Sequence, residues 1–287
     1  MTARIPPPNV LGLGRAERTE LGSDLPGLQF VTLGSPALDG RGDLTLYVPP
    51  GCEALSDLPV AVLLHGVHNS HWAWAFRGGA HRTAARLITQ GRLPPMVLVM
   101  PSDGLRAEGS GYLHLGSGDV QRWIVNDVRV GVTALLPQVG AASKWFIGGF
   151  SMGGWGALRL GGRYPDLFAG ISAHSAITTL GAFEALLSQP PCYLEVEPQS
   201  VLTWLERAGV RLPPLRFDCG KADRYKGDNR RLHTQLLERG VAHDYTEFPG
   251  GHNWAYWAQH LEQTLIFFGQ LAGRRPSPSA PALEDLL

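Results

Sequence analysis

Short apolar runs rich in β-branched residues alternate along this chain with longer stretches in which apolar positions recur about one helical turn apart. Such alternation is typical of an α/β sheet, because each strand is followed by a helix that covers it. Eight of the apolar runs are predicted to be strands, and they span residues 28–33, 44–48, 60–64, 96–100, 145–150, 170–173, 215–218 and 245–248.

The connection between the first two predicted strands, residues 34–43, contains Gly and Asp and has no room for a crossover helix. These two strands are therefore predicted to pair as an antiparallel hairpin. Each strand from residue 60 onward is followed by a helix-length segment, and helical periodicity is clearest in residues 79–90, 125–136 and 254–271. The pattern predicts an eight-stranded, mostly parallel sheet with helices on both faces.

The same pattern predicts a single domain, because no linker interrupts residues 26–273. Residues 1–25 are predicted to be a loop-like N-terminal segment. Residues 274–287 are rich in Pro and Ser without periodicity, and we expect a disordered tail there. Residues 177–213 contain weak helical patches and a Pro-Pro pair, and they are too long for a plain connection. We expect them to form a partial cap over a binding site.

Composition excludes several classes of partner. The 287 residues include 25 Lys plus Arg and 25 Asp plus Glu, so the formal net charge is zero and binding to nucleic acid or to an anionic membrane surface is not expected. No apolar stretch approaches the roughly 18 residues that span a bilayer, and no secretory signal is visible, so we expect a cytoplasmic protein. The three cysteines lack the spacing of a disulfide framework or a zinc site. The oligomeric state, monomer or homo-oligomer, stays open.

A glycine-rich turn carries the candidate nucleophile. Residues 149–153 read Gly-Phe-Ser-Met-Gly and stand between an apolar strand and a helix of small residues. In such a turn the central serine adopts a strained backbone conformation that exposes its hydroxyl, while the glycines let strand and helix approach closely. Ser151 is the predicted nucleophile. The N–H of Met152, at the start of the helix, is the first predicted donor to an oxyanion.

A serine hydroxyl needs a histidine to take its proton and an acid to orient that histidine. Five histidines follow Ser151 in the chain. His252 is favoured because it lies in a glycine-rich loop between the last predicted strand and the last predicted helix. The alternatives lie on predicted helices or at strand ends, and they are His174, His233, His243 and His260.

Two carboxylates, Asp218 and Asp223, stand near the end of the seventh predicted strand. Asp218 still belongs to the strand. Successive side chains of a strand point to opposite faces, which would direct Asp218 away from the site or into a structural hydrogen bond. Asp223 lies on the loop beyond the carboxyl end of the strand, where open α/β sheets build their sites. Loop placement therefore favours Asp223 as the acid.

The loop after the third predicted strand, residues 64–69, is predicted to supply the second oxyanion donor. Gly66 lets the chain bend there, so that the N–H of Val67 can point at a substrate carbonyl oxygen. His65, His68 and His71 are spaced three apart, but no carboxylate or cysteine accompanies them, so no metal site is expected. The chemistry requires no cofactor, and none is predicted.

Four segments together resemble the putative-esterase family of α/β-hydrolases, and they are LHG at 64–66, GFSMGG at 149–154, DCGKAD at 218–223 and PGGHNW at 249–254. That family groups esterase D (S-formylglutathione hydrolase), feruloyl and acetyl-xylan esterases, enterobactin esterases and mycolyltransferases. The resemblance covers roughly residues 44–268. It implies an α/β-hydrolase fold, a triad of Ser151, Asp223 and His252, and the two oxyanion amides named above.

A small-molecule carboxylic ester is the substrate class that the resemblance implies. Residues 65–69 lack the cysteine of the S-formylglutathione hydrolase loop, and the chain shows no export signal of the mycolyltransferase kind. These departures favour a general carboxylesterase. His68, Trp72 and Tyr112 are predicted to line the acyl or alcohol pocket, whereas Trp155, on the predicted helix that follows Ser151, is expected to pack in the core.

Two alternatives stay open. The same triad would serve an acyltransferase or a thioesterase, and product analysis with competing alcohols separates a transferase from a hydrolase. A non-catalytic binding protein on a hydrolase fold is the other alternative. It is less favoured, because all three triad residue types occur in the expected order and loop contexts.

Overall fold

A nine-stranded sheet forms the centre of the computed structural model, which describes residues 16–105, 107–194 and 200–273. The strands in chain order are β1 (Ala16–Glu20), β2 (Leu28–Ser35), β3 (Gly40–Tyr47), β4 (Val60–Leu64), β5 (Val97–Pro101), β6 (His114–Leu115), β7 (Gly118–Asp119), β8 (Trp145–Phe150), β9 (Ile171–His174), β10 (Leu215–Gly220) and β11 (Asp244–Phe248). Strands β6 and β7 form a separate two-stranded hairpin.

The order across the large sheet is β1-β2-β3-β5-β4-β8-β9-β10-β11. The first four of these strands pair antiparallel, and every neighbouring pair from β5 to β11 is parallel. The predicted, mostly parallel sheet is confirmed, and so is the hairpin of the first two predicted strands, which are β2 and β3. Parallel strands bring their carboxyl ends to one edge of the sheet, where loops can assemble a site.

The sheet has nine strands rather than the predicted eight, because β1 lies inside the segment 1–25 that was expected to be loop-like. Strand β1 reads Ala-Glu-Arg-Thr-Glu, and its residues are exposed or half-buried. It contains no apolar run, so its pairing with β2 at the sheet edge leaves no signal in the hydrophobic pattern. Residues 1–15 and the tail 274–287 lie outside the described residues.

Helices cover both faces of the sheet. The α-helices in the described part of the chain are α1 (Ala73–Phe76), α2 (Ala80–Thr89), α3 (Val120–Arg122), α4 (Val128–Leu135), α5 (Met152–Arg163), α6 (Leu180–Glu184), α7 (Val201–Ala208), α8 (Lys226–Glu238) and α9 (Trp254–Ala272). A π-helical turn, Trp123–Asp127, joins α3 to α4, and 3-10 turns span Pro165–Leu167 and Gly209–Arg211. None of the helices in this part of the chain combines the length and apolar character needed to cross a membrane.

Two apolar cores lie on opposite faces of the sheet, since successive side chains of a strand point to opposite faces. Along β4, Val60, Val62 and Leu64 join the core covered by α4, α5, α7 and α8. Ala61 and Leu63 join the core covered by α1, α2 and α9. Strand β4 is thus buried on both faces, which explains its uninterrupted apolar sequence.

Part of the segment 177–213, which is expected to be a partial cap, packs in the core of the fold. Helix α7 packs on α5, where a Cβ atom on Gly162 would lie 2.9 Å from the backbone nitrogen of Leu205. Val201 and Leu205 of α7 are fully buried in the core. The amphipathic α7 therefore packs on helix α5 within this core, and the partial cap stays a prediction. Residues 195–199 of this segment lie outside the described residues.

A buried histidine on α9 makes the stability of the fold sensitive to acid. The ring of His260 stacks on Phe248 at 4.4 Å and contacts Tyr256 at 4.3 Å. Burial lowers the pKa of His260 below its ordinary value. The unfolded chain then binds a proton that the folded protein excludes, so the free energy of unfolding is unaffected well above about pH 6.5 and falls as the pH drops below it.

We expect His260→Phe, which keeps the ring stacking, to reduce this loss by up to about 1.4 kcal/mol per pH unit below about pH 6.5. Urea unfolding of wild type and variant across the acid range measures the effect. His114→Gln is the control, because the His114 side chain is 42% exposed. If the free energy of unfolding falls equally steeply with pH in wild type and in His260→Phe, His260 is not the source of the acid sensitivity.

Candidate active site

Ser151 occupies the sharp turn between β8 and α5. Its backbone has φ 55° and ψ −118°, and a positive φ is rare for a residue with a side chain. Hydrogen bonds hold both of its peptide groups, since the Ser151 N–H donates to the His174 carbonyl at 3.0 Å and the Ile177 N–H donates to the Ser151 carbonyl at 3.1 Å. The strained turn that residues 149–153 predicted is present.

Close backbone packing explains the two glycines of this turn. A Cβ atom on Gly149 would lie 2.4 Å from the carbonyl oxygen of Gly153, and a Cβ atom on Gly153 would lie 2.3 Å from the carbonyl oxygen of Leu64. Neither contact can be relieved by rotating a side chain. Helix α5 therefore starts very close to β8 and β4, and its first N–H groups lie beside Ser151.

Three side chains converge on this turn. The Oγ of Ser151 lies 3.0 Å from Nε2 of His252, although the two residues are 101 positions apart. On the other side of the ring, Nδ1 of His252 lies 2.9 Å and 3.2 Å from the two carboxylate oxygens of Asp223. An ionised carboxylate can only accept, so Nδ1 of His252 carries the proton and Nε2 can accept one from the serine hydroxyl.

Two loops at the carboxyl edge of the sheet supply the histidine and the acid. His252 lies between β11 and α9, and the side chain of Asn253 caps α9 by accepting from the Tyr256 N–H at 3.1 Å. Asp223 follows β10 and accepts a further hydrogen bond from the Tyr225 N–H at 2.8 Å. The two residues favoured for their loop positions are the ones that meet at Ser151.

The environment of Asp223 keeps it charged. Burial by itself would raise the pKa of this carboxyl group. The hydrogen bond from His252, the interaction with its charge and the Tyr225 N–H outweigh burial, so the pKa of Asp223 lies below its ordinary value. Asp223 is therefore ionised at neutral pH and can stabilise a positively charged imidazole.

Aromatic rings hold the imidazole of His252 in place. The Tyr225 ring centroid lies 5.0 Å away at 75°, and that of Trp257 lies 4.9 Å away at 87°. Trp257 in turn stacks on Phe150 at 4.2 Å. These contacts limit rotation of the imidazole. Sequence reasoning missed them, and the only signal is the aromatic cluster at 254–257 beside His252.

A second Asp–His pair lies in the core and is not available for catalysis at Ser151. Asp218 accepts hydrogen bonds from Nδ1 of His174 at 2.9 Å, from Arg216 at 2.9 Å and from the Tyr256 hydroxyl at 2.8 Å. Nε2 of His174 lies 2.8 Å from the hydroxyl of Thr264. Both ring nitrogens of His174 are therefore engaged, and Asp218 makes structural hydrogen bonds, as its strand position suggested.

The two predicted oxyanion donors flank Ser151. Val67 lies on the loop after β4 and lines the same cleft as Ser151, while Met152 is the first residue of α5. Within residues 16–105, 107–194 and 200–273, neither backbone N–H has a hydrogen-bond partner. Both N–H groups are therefore unpaired near the serine turn, and their role as oxyanion donors stays a prediction.

Buried side chains hold the loop that carries Val67 in place. The indole N–H of Trp74 donates to the Leu64 carbonyl at 2.9 Å, and the hydroxyl of Tyr112 donates to the His65 carbonyl at 3.0 Å. A Cβ atom on Gly66 would lie 2.6 Å from the Phe150 ring. The loop is thus anchored at successive carbonyl groups, and glycine is needed at the bend.

An open cleft of about 810 Å³ lies over Ser151 and His252, and of the described residues in 177–213 only Leu186 lines it. His68 lines it, as predicted, but Tyr112 and Trp72 do not. Tyr112 is 0% exposed, because its ring packs beneath the loop that it anchors, and Trp72 is exposed outside the cleft. The direction of an aromatic side chain on a loop depends on tertiary contacts, and the sequence pattern does not predict that direction.

The three spaced histidines before α1 do not converge. Nδ1 of His65 contacts the Gly66 carbonyl at 2.8 Å, whereas Nδ1 of His71 contacts the Thr45 hydroxyl at 2.8 Å. Among the residues that the structure describes, no group of three or more His, Cys, Asp and Glu side chains could hold a metal ion. Trp155 is fully buried against Phe183, as expected for a core residue.

Comparison with known proteins relates this site to a family. The family model described as "Putative esterase" matches residues 35–268. An acetyl esterase of Caldicellulosiruptor saccharolyticus is 24% identical over 242 residues, covering 75% of this chain and 85% of the relative.

Solved structures show the same fold. A ferulic acid esterase superposes with a TM-score of 0.74 at 24% identity, covering 90% of this chain and 99% of its own. A fluorophosphonate-binding serine hydrolase of Staphylococcus aureus superposes with a TM-score of 0.71 at 21% identity, covering 83% and 96%. The predicted α/β-hydrolase fold is confirmed.

We expect Gly153→Ala to destabilise the protein by about 3 kcal/mol, because the added Cβ meets backbone atoms of β4. Thermal and urea unfolding measure the change. Gly227→Ala on α8 is the matched control, since a Cβ atom there meets nothing within 4 Å and alanine favours a helix. Equal unfolding midpoints for Gly153→Ala and the wild type would contradict the close approach of α5 to β4.

Proposed function

The chain belongs to the putative-esterase family and is a hydrolase of ester bonds, and we propose that Ser151, His252 and Asp223 carry out the reaction through an acyl-enzyme. The observation that supports this most directly is the hydrogen-bonded series from Ser151 Oγ through His252 to Asp223, at 3.0 Å and 2.9 Å. Nucleophile, base and acid are hydrogen-bonded in this order, as an activated serine requires. The substrate is a small-molecule carboxylic ester.

In the first step the Oγ of Ser151 attacks the ester carbonyl carbon while Nε2 of His252 takes the hydroxyl proton. The carbonyl oxygen becomes an oxyanion that accepts hydrogen bonds from the N–H groups of Val67 and Met152. Each such donor typically lowers the barrier by about 2.7–4 kcal/mol. The tetrahedral intermediate collapses, the bond to the alcohol oxygen breaks, and the alcohol leaves with the proton from His252.

In the second step water takes the place of the alcohol. His252 removes a proton from the water, which attacks the acyl carbon, and the same two amides receive the oxyanion. Collapse releases the carboxylic acid and returns the proton to Ser151. The cleft above the serine is open, so water can enter it.

Asp223 stabilises the imidazolium in both steps. Its pKa lies below the ordinary value, so it remains a carboxylate while His252 gains and loses a proton. The contact to Nδ1 also holds the tautomer in which Nε2 accepts from serine. Asp223 thus orients and stabilises the base without itself exchanging a proton.

Ser151→Ala is expected to reduce hydrolysis of p-nitrophenyl acetate on the order of 10⁶-fold, because the nucleophile is absent. Release of p-nitrophenol measures the rate, and circular dichroism checks that the variant folds. Ser56→Ala, at an exposed serine, is the control and retains wild-type activity. Turnover by Ser151→Ala near the wild-type rate would overturn the proposed role.

Asp223→Asn is expected to lower kcat by about 10⁴-fold with little change in KM, because an amide can donate to Nδ1 and favour the wrong tautomer of His252. Steady-state kinetics with the same ester measures both constants. Asp24→Asn, at an exposed aspartate, serves as the control. A fall of less than tenfold in kcat would argue that another group orients the histidine.

A further inference from the structure

The charged groups that line the active-site cleft all carry positive charge. Among the described residues of the lining, Arg77 and Arg224 are the charged side chains besides the histidines, and no aspartate or glutamate lines the cleft. Arginine stays protonated at any pH at which the enzyme would work. The cleft therefore places two permanent positive charges in the same space as Ser151 and His252.

Aromatic rings that belong to the site hold both guanidinium groups. The Cζ of Arg77 lies 5.3 Å from the ring centroid of Trp254, which itself lines the cleft. The Cζ of Arg224 lies 5.2 Å from the ring centroid of Tyr225, which contacts the His252 imidazole. A guanidinium above an aromatic face keeps its N–H edge available for other partners.

No carboxylate neutralises these two arginines within the described residues, where neither has an ion pair. Other surface arginines do have such partners, as Arg230 has with Glu247 at 2.8 Å. The carboxylate next to Arg224 in the chain is Asp223, whose oxygens accept from His252 and the Tyr225 N–H.

One further carboxylate lies close to the cleft but is engaged. Glu108 interacts with His68 and accepts hydrogen bonds from the backbone N–H and the hydroxyl of Ser188. Among the described residues it forms no ion pair with either guanidinium. The positive charge of Arg77 and Arg224 remains available to a ligand in the cleft.

We propose that the natural substrate is an ester with an anionic group, a carboxylate or a phosphate, in addition to the scissile ester bond. The proposal rests on the proposed esterase function and adds the charge of the substrate to it. A guanidinium matches the paired oxygens of carboxylate and phosphate, so Arg77 and Arg224 would hold the anionic group while the ester carbonyl lies at Ser151. They act as specificity residues and take no part in bond breaking.

The test compares each anionic ester with a neutral ester of similar shape and the same type of scissile bond. On the acyl side, mono-p-nitrophenyl glutarate is paired with p-nitrophenyl valerate. On the alcohol side, 3-carboxy-4-nitrophenyl acetate is paired with p-nitrophenyl acetate. The quantity measured is the ratio of kcat/KM for the anionic ester to kcat/KM for its neutral partner. The pair whose ratio falls when both arginines are replaced assigns the anionic group to the acyl or the alcohol portion of the substrate.

We expect the double variant Arg77→Gln/Arg224→Gln to lower this ratio about tenfold in at least one pair, because two exposed charge contacts are lost. The wild-type ratio should also fall as NaCl is raised from 0.05 M to 0.5 M, since salt screens exposed charges. Arg211→Gln is the matched control. Arg211 is exposed, pairs with Asp166 and precedes β10, so it lies at the opposite edge of the sheet from the cleft.

The outcomes separate this proposal from the esterase function. If both esters of each pair are hydrolysed through Ser151 but the ratio is unchanged in the double variant and in high salt, the anionic-substrate proposal is wrong and the esterase function stands. An equal loss of activity on charged and neutral esters also overturns it, because the arginines would then be structural. If no ester is hydrolysed at all, the proposed function itself fails.

Discussion

The strained backbone of Ser151, with its positive φ, is the constraint on which the site depends. A residue with a side chain holds φ 55° only when its surroundings leave no alternative, and here β4, β8 and α5 pack so closely that Gly149 and Gly153 have no room for a Cβ atom. The same packing brings the first N–H groups of α5 beside the serine hydroxyl. Strain, nucleophile position and oxyanion donor thus follow from one close approach of backbone segments.

The second requirement is that an imidazole reaches the serine in one defined orientation. Asp223 fixes Nδ1, and the rings of Tyr225 and Trp257 limit rotation, so Nε2 faces the hydroxyl. The pair of His174 and Asp218 shows that residue types alone are not enough. That pair is also hydrogen-bonded, but it lies in the core, where its polar atoms are satisfied by other buried groups. The position at the end of a strand or on the loop beyond it decides which pair can act.

Local sequence patterns carry most of the fold and the triad, because both depend on short-range signals. Apolar runs identify eight of the nine strands of the large sheet, and glycine-rich loops after strands identify Ser151 and His252. The edge strand β1 is not predicted, because its mostly polar sequence differs little from that of a loop. The prediction that Tyr112 and Trp72 line the pocket is wrong, since the direction of a loop side chain depends on contacts far away in sequence. The positive charges of the cleft come from Arg77 and Arg224, which lie on two segments far apart in the chain, so no local sequence pattern predicts them.

The central claim is that the Ser151 hydroxyl is activated by His252, and covalent labelling tests it most directly. The protein is incubated with a fluorophosphonate, and intact-mass and peptide mass spectrometry locate the adduct. The account predicts one adduct per chain on Ser151, which forms at a greatly reduced rate in His252→Ala. An adduct on another serine, or labelling of Ser151 that is as fast without the imidazole of His252, would contradict it.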